Sequence, residues 1–244
     1  MKSTRFLILS NLAGAAAFFA GAAQAIEINT LQLLSQPEFR LLAKDLGAVG
    51  SYKPLAPAGS LGITGFDLGV SVSAVTLESR EVWRKAAAGG EVPSALPVLA
   101  LRGAKGLPFG LDVGLSYSAI PTTGVSLLGG ELKWAFIQGG VATPAVALRV
   151  SGAKLSGLSQ LDFSSSGVDL SISEGFALIT PYAGIGRVRS TSTPNGVATL
   201  RAEKISQSRV FAGANFNLGI ADLLIEGDST GGVGTASLKL GYRF

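Results

Sequence analysis

The chain contains no cysteine and no histidine. The first absence excludes a disulfide framework, a thiol nucleophile and any cysteine-based metal site. The second removes the commonest general base and metal ligand. Charged residues make up only 15% of the chain and aromatics 7%. Beyond the amino-terminal leader, no stretch reaches the roughly 18 uninterrupted apolar residues that a spanning helix requires.

What the chain has instead is hydrophobicity without long runs. Mean hydropathy is +0.43, with 47% hydrophobic residues and 33 glycines. Such a chain must set its apolar residues at alternate positions, on one face of β-strands. The last stretch shows this most clearly. Ala236, Leu238, Leu240, Tyr242 and Phe244 alternate with Thr235, Ser237, Lys239, Gly241 and Arg243, and the alternation runs to the final residue. The ending Leu240-Gly241-Tyr242-Arg243-Phe244 resembles the closing strand of Gram-negative outer-membrane β-barrels. That resemblance implies a transmembrane barrel whose carboxyl-terminal strand, with Tyr242 and Phe244, is the signal read by the outer-membrane assembly machinery. Lipid itself admits only helices and closed barrels, which leads to the same fold.

The start of the chain agrees with the end. Lys2 and Arg5 precede an apolar, Ala-rich run from Phe6 to Ala20, and Ala23-Gln24-Ala25 supplies a small-x-small cleavage site. Residues 1–25 therefore read as a cleavable secretory signal peptide, with an outer-membrane destination. The net charge of +4 falls to +2 without Lys2 and Arg5. No basic run or basic-aromatic cluster accompanies it, which argues against a nucleic-acid partner.

Residues 26–61 form a separate segment. Ser35-Gln36-Pro37-Glu38 matches a capping box, Phe39, Leu42 and Leu46 recur at helical spacing, and Gly47 is placed to end the helix. Tyr52 to Gly59 is a Pro-rich connector. This segment is expected to plug the lumen or cap the periplasmic mouth, chiefly as a structural element.

Residues 62–244 read as an antiparallel transmembrane β-barrel of about ten strands (8–12). The clearest strand runs through Leu107, Phe109, Leu111, Val113, Leu115 and Tyr117, alternating with Gly110, Asp112, Gly114 and Ser116. Odd-numbered connections should face outside and be the longer ones. The first, about Glu78 to Ser94 with a helical turn near Trp83, and the seventh, about Ser190 to Ile205, fit that rule. Trp83 could meet lipid headgroups or a ligand, but the favoured expectation is packing of its loop on itself. Outward aromatics, including Trp134, Phe136, Phe109, Tyr117, Tyr182, Tyr242 and Phe244, suit interfacial girdles.

The same alternation sends Asp67, Arg102, Asp112, Glu131, Lys133, Arg149, Asp169, Arg187, Arg209 and Lys239 into the lumen, with Asp222, Glu226 and Arg243. The signs are nearly balanced, whereas a selective pore shows a ring of one sign. A small barrel with mixed interior charges is expected to be salt-bridged and filled.

Gly227-Asp228-Ser229-Thr230-Gly231 satisfies the G-x-S-x-G pattern, but the nucleophile elbow needs a following helix and a histidine. It reads instead as the last outward hairpin turn. No Walker A or dinucleotide fingerprint is present, so no enzyme, cofactor or metal site is expected. Two functions fit: a narrow or plugged barrel that passes or binds a small solute, including an apolar one, or a structural or adhesive barrel acting through its extracellular loops. A soluble periplasmic β-sandwich would share the alternation, though it would not need the terminal Phe. Outer-membrane lipid is the expected surrounding partner.

Overall fold

The computed structural model describes residues 28–121, 123–140 and 143–244. The leader at residues 1–25 lies outside these described residues. Ten strands close into one barrel: β1 (Phe66–Thr76), β2 (Ala95–Gly106), β3 (Leu111–Ala119), β4 (Ser126–Gln138), β5 (Ala145–Ser156), β6 (Leu161–Ser173), β7 (Ile179–Pro194), β8 (Glu203–Asn217), β9 (Asp222–Thr230) and β10 (Val233–Arg243). Each strand pairs antiparallel with its sequence neighbours. β1 and β10 close the ring in a register from Asp67↔Arg243 to Val75↔Thr235. Phe66 and Phe244 exchange two backbone hydrogen bonds of 2.9 Å at the seam. Closure leaves no unpaired edge, the liability of any open sheet.

Alternation along the strands becomes an outer and an inner wall. Leu68, Val70, Leu99, Leu101, Leu115, Leu128, Leu170, Ile185 and Val210 are exposed on the outer wall. A soluble protein seldom leaves so large a contiguous apolar surface bare.

One end of the barrel carries the connections 77–94, 120–125, 157–160, 195–202 and 231–232. Only the first and fourth of these are long. The expected contrast between the two ends is therefore carried by two connections. The first holds helix α2 (Arg80–Ala86), where a helical turn was predicted. At the other end, the clearest predicted strand is shorter than its pattern. Leu107–Gly110 is a turn, in which Phe109 has φ 64° and is exposed, and β3 begins at Leu111. Pro108 has no N–H to give to a ladder, so apolar alternation there does not become pairing. The G-x-S-x-G run is also strand up to Thr230. The hairpin turn is Gly231-Gly232 alone, both at positive φ (62° and 96°).

Helix α1 (Gln36–Val49) starts as its sequence requires. The Glu38 carboxylate accepts from the Ser35 N–H at 2.7 Å, and Pro37 occupies the first turn. It does not end at Gly47 but runs on to Val49, with Gly50 as C-cap donating to Leu46 O. Gly47 is where the helix meets the barrel wall, since a Cβ there would lie 2.2 Å from Gln207 Oε1.

Candidate functional site

The candidate site is the lumen, and the chain's own amino-terminal segment occupies it. α1 sits at the long-loop end. Its apolar face (Phe39, Leu42, Leu46, Val49) joins Trp83 and Ala86 of α2 and the inner-wall residues Val75, Leu96, Leu127, Leu155, Leu161 and Phe163 in one buried cluster. The Trp83 indole donates to Asp45 Oδ2 at 2.9 Å, and so does the Ser79 N–H. Trp83 is buried, so the first loop packs onto α1 and not only on itself. Burial raises the Asp45 carboxyl above the usual range despite these two donors. Glu38, at the exposed start of α1, is held down to about 2, first by the Ser35 N–H and then by the Ser35 hydroxyl and Lys85.

Below α1, residues 50–61 run through the lumen to the short-turn end outside any helix or sheet, with a left-handed turn at Leu55 (φ 41°). Such a segment has peptide groups without secondary-structure partners, which cannot be left buried without cost. The inner wall supplies their partners. Ser165 Oγ donates to Gly50 O at 2.9 Å, and Arg102 donates to Lys53 O at 2.7 Å. The Leu55 N–H reaches Glu226 Oε2 at 3.1 Å, which also accepts from Tyr182 Oη at 2.6 Å. Lys133 Nζ donates to Pro57 O and Gly59 O at 3.0 and 2.8 Å. Ser173 Oγ accepts the Ala58 N–H at 3.0 Å, and Asp112 accepts the Leu61 N–H at 3.0 Å. Pro54 and Pro57 have no donor to satisfy.

The interior charges also pair with one another. Lys133 lies 2.9 Å from Asp112, Arg149 2.7 Å from Glu131 and Arg209 3.4 Å from Asp169. Lys239 bridges Asp67 at 2.6 Å and Asp222 at 3.5 Å. Lys53, from the threaded segment, meets Asp228 at 3.0 Å and Thr235 Oγ1 at 3.0 Å. Arg102 has no carboxylate in contact among the described residues. Its guanidinium lies 4.7 Å above the Tyr52 ring, a cation–π contact. About 30 Å³ stays free between Tyr52, Leu55, Ser71, Ser116 and Gly129, on the scale of a single water.

Asp67, Arg102, Asp112, Glu131, Lys133, Arg149, Asp169, Arg209 and Lys239 thus face the lumen, and the structure brings all of them onto the segment or onto one another. Arg187 does not join them. It is exposed on the outer wall, and Tyr182, expected outside, is buried inside. Both corrections are one shift in the phase of β7. Gly184 and Gly186 take the inner positions because Phe211 and Asp169 fill the space a side chain would need there, with a Cβ on Gly186 2.0 Å from Asp169 Oδ1. Tyr242 and Phe244 are exposed at the seam, with rings 5.6 and 5.8 Å from that of Phe66. Sequence reasoning missed Lys53 and Tyr52. The available signal was a lone lysine inside an apolar, Pro-rich connector, where a solvated linker would have no need of the apolar neighbours.

Among the described residues, no group of three or more acidic side chains is placed to hold a metal ion.

No protein-family model matches the chain, and a comparison with curated proteins finds no relative. Solved structures do resemble it. The amino-terminal β-barrel domain of Pseudomonas aeruginosa OprF is 14% identical, covering 72% of this chain and 97% of that one, at a TM-score of 0.36. Ail, the attachment invasion locus protein of Yersinia pestis, is 13% identical over 74% of this chain and 97% of its own, at 0.29. The KdgM porin is 5% identical over 73% and 99%, at 0.38. These are similarities to outer-membrane β-barrels.

Proposed function

We propose that the chain is an outer-membrane barrel kept closed by its own amino-terminal segment, acting through its long-loop face and not as a solute pore. The observation that carries this reading is the path of residues 50–61, whose peptide groups are bound along the whole lumen by inner-wall side chains. A solute could pass only if the segment left, exposing Arg149, Lys133 and Glu226 together with the apolar face of α1. The bare apolar outer wall supports membrane insertion, and a cleavable leader would bring the chain there. The long-loop end, with α2 and the 195–202 connection, is the surface offered to a partner outside the cell. Tyr242 and Phe244 on the closing strand serve as the signal for assembly. No reaction is assigned to the site.

The test is conductance across a planar bilayer by the purified, heat-modifiable full chain. Silence at moderate voltage is expected. Steady unitary steps from the unaltered protein would overturn the closed-barrel reading and restore the solute pathway. Orientation is checked with an epitope placed just ahead of Ile28, which sits at the long-loop end. The epitope should be accessible to antibody on intact cells.

A further inference from the structure

The correction at Arg187 leads to a second surface. Outward side chains on neighbouring strands lie in register rows across β5 to β8. The uppermost row that spans all four strands reads Lys154, Ser164, Thr191, Lys204, one step below the outward pair Asp162 and Thr193. The next reads Gly152, Ser166, Arg189, Ser206, and the third Val150, Val168, Arg187, Ser208. Below them the row Leu148, Leu170, Ile185, Val210 is wholly apolar. One sector of the outer wall therefore changes from basic and hydroxylated to apolar over a few residues. Lys154, Arg187, Arg189 and Lys204 are all exposed, and none makes an ion pair with a described residue. Small serines between the long cations leave an open depression of about 400 Å³, bounded by Ser164, Ser166, Arg189, Thr191, Lys204 and Ser206. The nearest outward acid, Asp162, accepts from Asn195 Nδ2 at 3.0 Å. On β1, β9 and β10 the corresponding outward positions carry Thr76, Ala74, Ser229, Gly234 and Ala236, with no charge. β6, β7 and β8, at 13, 16 and 15 residues, are also longer than β1, β9 and β10 at 11, 9 and 11.

We infer that this sector binds an acyl lipid with a phosphate-bearing headgroup in the leaflet at the long-loop end. Guanidinium and ammonium groups held beside hydroxyls match a phosphate monoester in charge and in donors. The apolar rows directly below give acyl chains a surface continuous with that headgroup site. A soluble anion would have no use for those rows, and a neutral lipid would leave the cations unpaired. The inference requires a membrane-embedded outer wall, but it is independent of whether the lumen conducts.

The probe is a bisphosphorylated, acylated glucosamine disaccharide added to the full chain in detergent, with bound lipid counted by native mass spectrometry. The unaltered protein should retain this lipid at least tenfold better than its dephosphorylated form, a comparison that needs no variant. Excess inorganic phosphate should not displace it. The Arg187→Ser, Arg189→Ser, Lys204→Ser variant, shown to be folded by its heat-modifiable mobility, should lose the preference. Equal retention of the two lipids, an unchanged preference in the folded variant, or full displacement by inorganic phosphate would each overturn the assignment.

Discussion

The two halves of the lumen are built on opposite principles. At the long-loop end the interior is an apolar core, where Phe39, Leu42 and Leu46 of α1 pack against Leu155, Leu161 and Phe163 of the wall. At the other end the interior is ionic, with Arg149, Lys133, Asp112 and Glu226 enclosing an irregular segment. The form of the occupant explains the difference. A helix satisfies its own peptide groups, so its container can be greasy. A segment outside helix and sheet does not, so its container must carry donors and acceptors. Of the inner-wall charges that the sequence assigns to pairing across the lumen, Asp112, Lys133, Arg149 and Glu226 also bind the backbone of the threaded segment. Arg102 binds that backbone and the Tyr52 ring without a carboxylate partner among the described residues.

The largest expected effect breaks the ionic half. Arg149→Ala leaves Glu131 buried without its partner, which costs about 3–5 kcal/mol and should lower the urea midpoint of the barrel in detergent accordingly. Changing both partners together, Arg149→Met with Glu131→Leu, should recover most of that loss, because an apolar pair of similar volume avoids the desolvation penalty. The comparison would fail if the double change were as damaging as the single one.

In the apolar half, Leu42→Ala should cost about 3 kcal/mol through the lost packing and the cavity left behind. Here the expected readout is local. Limited proteolysis should cut residues 28–49 sooner, while the strands remain protected and heat-modifiable. Simultaneous loss of barrel and helix would mean that the two halves fold as one unit.

The smallest effect lies at the exposed start of α1. Glu38 is depressed to about 2 by the Ser35 N–H, the Ser35 hydroxyl and Lys85, so its contribution is fully present above the ordinary carboxylate range. It is lost as pH falls from that range through about 2. Amide exchange at Glu38 and Phe39, after correction for the intrinsic pH dependence, should show the first turn opening across that window. Glu38→Gln should flatten the response. Asp45 acts in the opposite sense, since burial raises its carboxyl and protonation at falling pH removes a buried charge.

Much of this molecule was legible in advance. The strand count, the closing strand, the helix start at Ser35, the helical turn at Trp83 and most lumen-facing charges follow from alternation and capping chemistry. The errors have separate physical causes. On β7 the outer row carries Arg187 and Arg189 while the inner row carries Gly184 and Gly186, so a rule that sends charge inward assigns the strand the wrong phase. Gly47 reads as a helix stop in the sequence, although its missing Cβ serves a contact with Gln207, more than a hundred residues away in the chain. Phe109 continued an apolar alternation that Pro108 prevents from pairing.

What the sequence by itself determined was periodicity: which stretches alternate, which recur at helical spacing, and where donors are missing. Those are properties of neighbours along the chain, set by sterics and solvation over a few residues. Only the tertiary structure decided where the amino-terminal segment runs, which way β7 faces and which charges bind backbone in place of one another. These depend on closure of the ring, which ties residues 50–61 by hydrogen bonds and an ion pair to seven of the ten strands and fixes each inner position by what must fit beside it. No local pattern encodes a partner that arrives from the far end of the chain.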